Sequence, residues 1–140
     1  MIAVIFEVEP ADGRFEDYLE HAARLKPELE KMPGFISVER FQSISNPGKL
    51  VSLSFWEDEA AVACWRSHPD HRGSQTAGRD GIFAGYRLRV AAVLRDYGMT
   101  EQRDQAPADS LALHGWEGGA AKRACSRYRQ IVFNLQIAFS

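Results

Sequence analysis

The order of two hydrophobic periods along residues 1–97 constrains the fold more than any other feature of the sequence. Four segments show the two-residue alternation, or the β-branched and aromatic composition, of β-strands. Two segments between them repeat apolar residues every three or four positions, as amphipathic helices do. The resulting order is β-α-β-β-α-β, which predicts the ferredoxin-like α+β fold: one antiparallel sheet with two helices on one face.

The strands are predicted over residues 2–8, 35–41, 50–56 and 86–94. Turn-forming residues fill 42–48, so the second and third strands are expected to pair as a hairpin. The first helix is predicted over 15–32, with Asp12 as a candidate cap. Pro27 lies inside that pattern, and we expect it to kink or split the helix near Leu25 because proline removes a backbone donor.

The second helical region begins in the acidic residues 57–59 and restarts at a bend. In the sequence Ser67-His68-Pro69-Asp70, a capping position precedes a proline at the first helical position. We expect this second piece to run to about Gly78. Residues 98–140 lack a sustained period and are predicted to be a C-terminal extension of the 1–97 domain: a cover for a pocket, an element exchanged between subunits, or coil.

A sheet with helices on one face leaves its other face for a second layer. Seven apolar positions cannot all face the helices: Ala3, Ile5, Phe35, Phe41, Leu50, Trp56 and Ala91. Scattered apolar surface residues are common, but a patch this wide is unusual on a monomer. We therefore expect the second face to pack against another copy of the chain in a homodimer.

Composition excludes several classes of function. The net charge of −2 argues against a dedicated nucleic-acid binder, which needs a basic face for phosphates. The apolar runs are much shorter than the roughly 20 residues of a membrane span, and the N-terminus does not resemble a signal peptide. Cys64 and Cys125 are too few for a disulfide framework or a four-cysteine zinc site, which favours a cytoplasmic setting.

Three short motifs resemble the antibiotic biosynthesis monooxygenase (ABM) family of dimeric α+β barrel proteins. They are Pro33-Gly34-Phe35 opening the second strand, residues 54–61 entering the second helix, and Trp65 followed by the bend at 67–71. The resemblance covers about two-thirds of the chain and implies two subunits whose sheets meet face to face, each with a pocket between sheet and helices. It also implies an oxidoreductase activity, because some members oxidise phenolic compounds with molecular oxygen and neither metal nor flavin.

The candidate site residues come from the bend, the first strand and the segment that leads into the fourth strand. Trp65 either lines a flat cavity, as the resemblance implies, or packs in the core, and we expect Trp65→Ala to weaken ligand binding more than stability. The predicted substrate slot consists of Phe6, Trp65, Phe83 and Tyr86. The candidate base is His68 or His71, and the candidate group that stabilises a substrate anion is Arg72 or Arg79.

Two alternatives use the same residues. A metal on His68 and His71 lacks a third ligand of matching spacing, so no metal is predicted. In the haem-cleaving branch of the family, the resemblance places the iron ligand ten residues after the tryptophan, which here is Gln75, and glutamine is not a common axial ligand. We therefore predict no cofactor and disfavour haem degradation. A non-catalytic module that binds small molecules or responds to stress remains the other alternative.

Overall fold

The computed structural model describes residues 1–113, so most of the predicted extension 98–140 lies outside the described residues. The described chain divides into a compact unit, Met1–Val93, and a second unit that begins at Leu94. The elements of the first unit are β1 (Ile2–Pro10), α1 (Phe15–Leu29), β2 (Phe35–Gln42), β3 (Leu50–Trp56), α2 (Glu59–Ser67), α3 (Pro69–Ala77), a π-helical turn (Gly78–Ile82) and β4 (Phe83–Ala92). In the second unit, a 3₁₀ turn (Arg103–Gln105) precedes α4 (Ala108–Leu113). None of the helices described is long and apolar enough to cross a membrane.

The strands form one antiparallel sheet in the order β2-β3-β1-β4. This confirms the ferredoxin-like α+β prediction, including the β2–β3 hairpin and the bounds of β3. Side chains of β1 and β3 that face the helices form two clusters with α1 and α2. One cluster is centred on Val8 and Tyr18, and the other on Trp56 and Trp65.

The structure contradicts two local expectations for α1, the cap at Asp12 and a split at Pro27. The helix begins after Arg14, two residues beyond Asp12, and no side chain caps it. Its first turn is instead acidic, which suits the positive end of the helix dipole. The helix also continues through Pro27 to Leu29 without splitting. Pro27 lies in the last turn, so the one backbone hydrogen bond that it removes is close to the end of the helix.

The bend between α2 and α3 forms as predicted. The Asp58 side chain caps α2 by accepting a hydrogen bond of 2.8 Å from the Ala61 backbone N–H. His68 has an extended backbone (φ −62°, ψ 134°), and Pro69 is the first residue of α3. A residue that precedes proline is biased away from the helical conformation, so the chain turns at His68.

The pairing register decides which face each strand residue occupies. Ser54 pairs with Val4 and Ser52 with Phe6, so the serines of β3 face the helices. The alternating apolar residues Val51, Leu53 and Phe55 consequently lie on the opposite face, which no helix of Met1–Val93 covers. We call this the outer face.

Three of the seven apolar positions assigned to a second layer instead face the helices. Trp56 is 1% exposed and packs edge-to-face against Phe35, with ring centroids 5.4 Å apart. Leu50 packs beside Val8. A register shift between Phe35 and Ser37 turns Phe35 inward. The other four positions belong to the outer face: Ala3, Ile5, Phe41 and Ala91.

Gly34 opens β2 in a conformation that requires glycine. Its φ is +77°, and an added Cβ would lie 2.7 Å from the Ala61 Cβ. A left-handed residue with a side chain costs about 1–2 kcal/mol before any steric clash. We expect Gly34→Ala to lower the free energy of unfolding by at least about 2 kcal/mol in urea denaturation. The matched control is Gly13→Ala, because Gly13 has a φ of +74° but no atom within 4 Å of the added Cβ. An equal loss in both variants would contradict the steric argument.

Candidate functional site

A cavity of about 450 Å³ lies between the sheet and the helices of Met1–Val93. All four strands contribute to its wall, together with α1, α2, α3 and the π-helical turn. The inward side chains of β4 line it but are not covered: Tyr86 and Leu88 are each 53% exposed. The cavity therefore opens to solvent along this edge strand.

Six of the predicted site residues lie in the wall of this cavity, and two do not. The six are Phe6, Trp65, His71, Arg79, Phe83 and Tyr86. His68 stacks on the indole of Trp65, with ring centroids 5.5 Å apart, but it does not line the cavity. Arg72 is exposed on α3, outside the cavity. Both histidine rings stack on Trp65, but only His71 lines the cavity.

Three aromatic rings cluster at the β1–β4 end of the cavity. The centroid of Phe6 lies 5.8 Å from that of Phe83 and 5.7 Å from that of Tyr86, and Phe83 and Tyr86 are 6.1 Å apart. Gly78 allows this arrangement, because a Cβ there would overlap the ring of Phe83. The cluster provides an apolar, planar surface suited to a flat organic ligand.

Trp65 combines the two roles left open by the sequence. It is 9% exposed and packs against Leu29, Trp56 and Ala61 in the second core cluster. Its indole also stacks on the His71 ring, with centroids 4.7 Å apart and an interplanar angle of 23°. Trp65 is therefore a core residue that holds the imidazole of His71 in the cavity wall.

The structure favours a neutral His71. Burial lowers its pKa below the ordinary value of 6.5, against a smaller opposing effect of the backbone at Trp65 and Arg66. The side-chain amide of Gln75 lies 3.3 Å from Nδ1 of His71. An uncharged imidazole at neutral pH can accept a proton from a bound ligand.

The lowered pKa of His71 predicts a pH-dependent stability. Unfolded chains take up a proton on this histidine near pH 6.5, whereas the folded protein resists protonation until a lower pH. The contribution is therefore present above pH 6.5 and is lost as the pH falls towards the folded-state pKa. We expect urea denaturation at pH 7.5 and 5.5 to show a larger loss for the wild type than for His71→Gln. Equal losses in the two proteins would contradict the argument.

The sequence interpretation missed the polar end of the cavity. Arg40 on β2 lines it, as do Ser52 and Ser54 on β3 and Tyr18 on α1. The available signal was the alternation in β2, where Arg40 follows Val38 at the spacing that keeps both on one face. A charged residue on an otherwise inward-facing strand surface indicates a site rather than packing.

The wall is positively charged although the chain is acidic. Its charged or titratable basic members are His21, Arg40, Arg66, His71 and Arg79. No aspartate or glutamate of residues 1–113 lines it, whereas the whole chain carries 19 acidic and 17 basic residues. This distribution suits a ligand with a negative charge.

One side-chain group has the spacing of a metal site. Ligand atoms of Glu28, His68 and Asp70 lie within 4.8 Å of one another, and Asp70 is exposed. The group includes His68 but not His71, the other histidine of the bend. Exposed acidic groups often have this spacing without a metal, and we assign no ion to it.

Comparisons with known proteins identify relatives of the first unit. The family model for antibiotic biosynthesis monooxygenases matches residues 1–77. A Pyricularia oryzae protein named jasmonate monooxygenase ABM is 46% identical over 93 residues, which are 66% of this chain and 43% of that protein. The Bacillus subtilis protein YqjZ is 32% identical over 93 residues, covering 66% of this chain and 79% of its own length. The chain thus spans less than half of the fungal relative.

A solved structure shares the fold. SnoaB from Streptomyces nogalater, described as a cofactor-independent oxygenase and solved as its N63A mutant, superposes with a TM-score of 0.61. The two sequences are 14% identical, and the match covers 71% of this chain and 97% of SnoaB. At that identity the similarity concerns the architecture alone.

Proposed function

Because the chain belongs to the antibiotic biosynthesis monooxygenase family, we propose that it is a cofactor-independent monooxygenase that oxidises a small aromatic or quinone-type compound with molecular oxygen. One observation carries this proposal: a half-open aromatic cavity that holds a neutral imidazole and arginines but, within residues 1–113, no carboxylate. Such a cavity can bind a flat phenol, accept its proton and stabilise the resulting anion.

The proposed reaction needs only the substrate and oxygen. His71 accepts the phenol proton, and the phenolate, which is electron-rich, is oxidised by O₂. One oxygen atom becomes the second carbonyl of the quinone product. The other leaves as water with the two hydrogens that the phenol loses, one of them returned by His71. Oxygen is thereby reduced by the four electrons that the phenol gives up.

We base our choice between the alternative site residues on their positions relative to the cavity. We assign the base to His71 rather than His68, because only His71 lies in the wall. For the same reason, Arg79 rather than Arg72 stabilises the anion. Phe6, Trp65, Phe83 and Tyr86 bind the ring. His71→Gln and Arg79→Gln are therefore expected to slow turnover more than Arg72→Gln.

The name of the fungal relative adds a second substrate class to be tested, a jasmonate.

We further propose that two copies of the chain pair through the outer face. We also propose a cytoplasmic location, which the low cysteine content of the chain supports.

Oxygen uptake tests the proposal. The purified chain is incubated with a panel of hydroquinones, naphthols and a jasmonate, and uptake is compared with that in buffer. With ¹⁸O₂, we expect one labelled atom in the product and one in water. Substrate binding without uptake would favour the non-catalytic binding module. A Soret shift on addition of haem would favour the haem-binding alternative.

A further inference from the structure

The guanidinium of Arg40 lies in the cavity without a counterion. No carboxylate within residues 1–113 forms an ion pair with it. Its Nε is buried and has no hydrogen-bond partner, and its Nη2 reaches only the Ala22 carbonyl, at 3.5 Å. A partly buried charge without a counterion is costly, so this position is expected to be occupied by an anion when the site is in use.

Two hydroxyl groups, those of Ser52 and Tyr18, are placed next to the same guanidinium. Ser52 stands directly opposite Arg40 in the β2–β3 pairing, and such opposite side chains on one face lie about 5 Å apart at Cβ. Tyr18 approaches from α1, and Arg40 lowers the pKa of its hydroxyl, against a larger increase caused by burial. Ser54 is less available, because its hydroxyl accepts a 3.0 Å hydrogen bond from Nε1 of Trp56.

The polar end and the aromatic end occupy opposite edges of the sheet. Arg40 is on β2 and the Phe6–Phe83–Tyr86 cluster is on β1 and β4, with β3 between β2 and β1. Three inter-strand gaps separate the two ends by roughly 14 Å at the backbone, so a ligand that contacts both must be elongated and lie across the strands. Tyr18 connects the ends, since its ring packs edge-on against Phe83, 6.0 Å away, while its hydroxyl is near Arg40.

We propose that the ligand of this cavity is an amphipathic carboxylate whose anionic group is bound by Arg40, Ser52 and Tyr18 and whose apolar body lies along the aromatic cluster. A planar guanidinium fits a carboxylate through two parallel hydrogen bonds, which a phenolate oxygen cannot accept in the same way. This inference rests on the proposed function, since it names the substrate class of the same cavity. Arg40 is here a specificity-determining residue and takes no part in proton transfer.

The test is a binding measurement that does not depend on turnover. Titrations at pH 7.5 use 2-naphthoate, its uncharged methyl ester and 2-naphthol as probes. We expect the wild type to bind 2-naphthoate at least about tenfold more tightly than the ester or the naphthol, the effect of one or two charge-assisted hydrogen bonds. Arg40→Gln is expected to remove this preference while leaving the affinity for the ester unchanged, and Arg40→Lys to retain part of it.

The matched control is Arg14→Gln, which removes an exposed arginine at the start of α1, outside the cavity, and keeps the preference. Equal affinity of the wild type for acid and ester would overturn the proposal without any variant. Loss of the preference in Arg66→Gln or Arg79→Gln, but not in Arg40→Gln, would also overturn it. Because the readout is binding, absence of oxygen uptake would refute the proposed reaction and leave this result unaffected.

Discussion

Replacing Trp65 by alanine is expected to lower the free energy of unfolding by about 3–5 kcal/mol, the range for removal of a buried tryptophan. The indole is 9% exposed and packs against Leu29, Trp56 and Ala61. The same substitution removes the surface on which His71 stacks, 4.7 Å away. We therefore expect oxygen uptake to fall to the level of buffer even at temperatures where the variant remains folded.

The sequence position of Trp65 predicts that Trp65→Ala weakens ligand binding more than stability. The burial of Trp65 in the structure predicts a large loss of stability as well. Trp65→Phe separates the two effects, because a smaller ring keeps an aromatic surface for His71 and leaves a smaller cavity. We expect it to lose about 1–2 kcal/mol and to retain measurable binding of 2-naphthoate. Urea denaturation and fluorescence titration measure both quantities. A Trp65→Ala protein as stable as the wild type would contradict the assignment to the core.

The succession of hydrophobic periods was sufficient to predict the fold, because each period is a local property of the chain. The bounds of β3 were predicted at both ends, and the proline at the start of α3 was placed correctly. The direction in which the strands present their side chains was not predictable in the same way. It depends on pairing register, and the serines of β3 face the helices only because Ser54 pairs with Val4 and Ser52 with Phe6.

The aromatic part of the candidate site was predictable from the sequence, whereas its polar part was not. Large aromatic residues on elements that face the helices are candidates to line a cavity. Phe6, Trp65, Phe83 and Tyr86 do line one. Arg40 gave a weaker signal, its alternation with Val38 in β2, because an arginine on an edge strand is ordinary in a sequence. It stands out only when its missing counterion and the absence of carboxylates from the cavity wall, within residues 1–113, are visible.

The outer face of the sheet is predicted to be the interface between two copies of the chain. Leu53 lies on β3 opposite Ile5 and Glu39, in the interior of the sheet. Phe41, on the same face, is 45% exposed. Salt bridges from Glu7 to Lys49 and Arg89 lie beside this apolar area, so a second copy would meet an apolar centre with a charged border, as stable interfaces do.

We expect the wild type to have about twice the chain mass of 15.7 kDa in light scattering, and Leu53→Asp to have the mass of one chain. An aspartate at this position would place an unpaired carboxylate at the centre of a desolvated interface, which costs several kcal/mol per subunit. Ile44→Asp is the matched control, because Ile44 is fully exposed in the β2–β3 turn and the same change there should leave the mass unchanged. Circular dichroism checks that both variants are folded. A folded Leu53→Asp protein that keeps the wild-type mass would show that the outer face is not the interface.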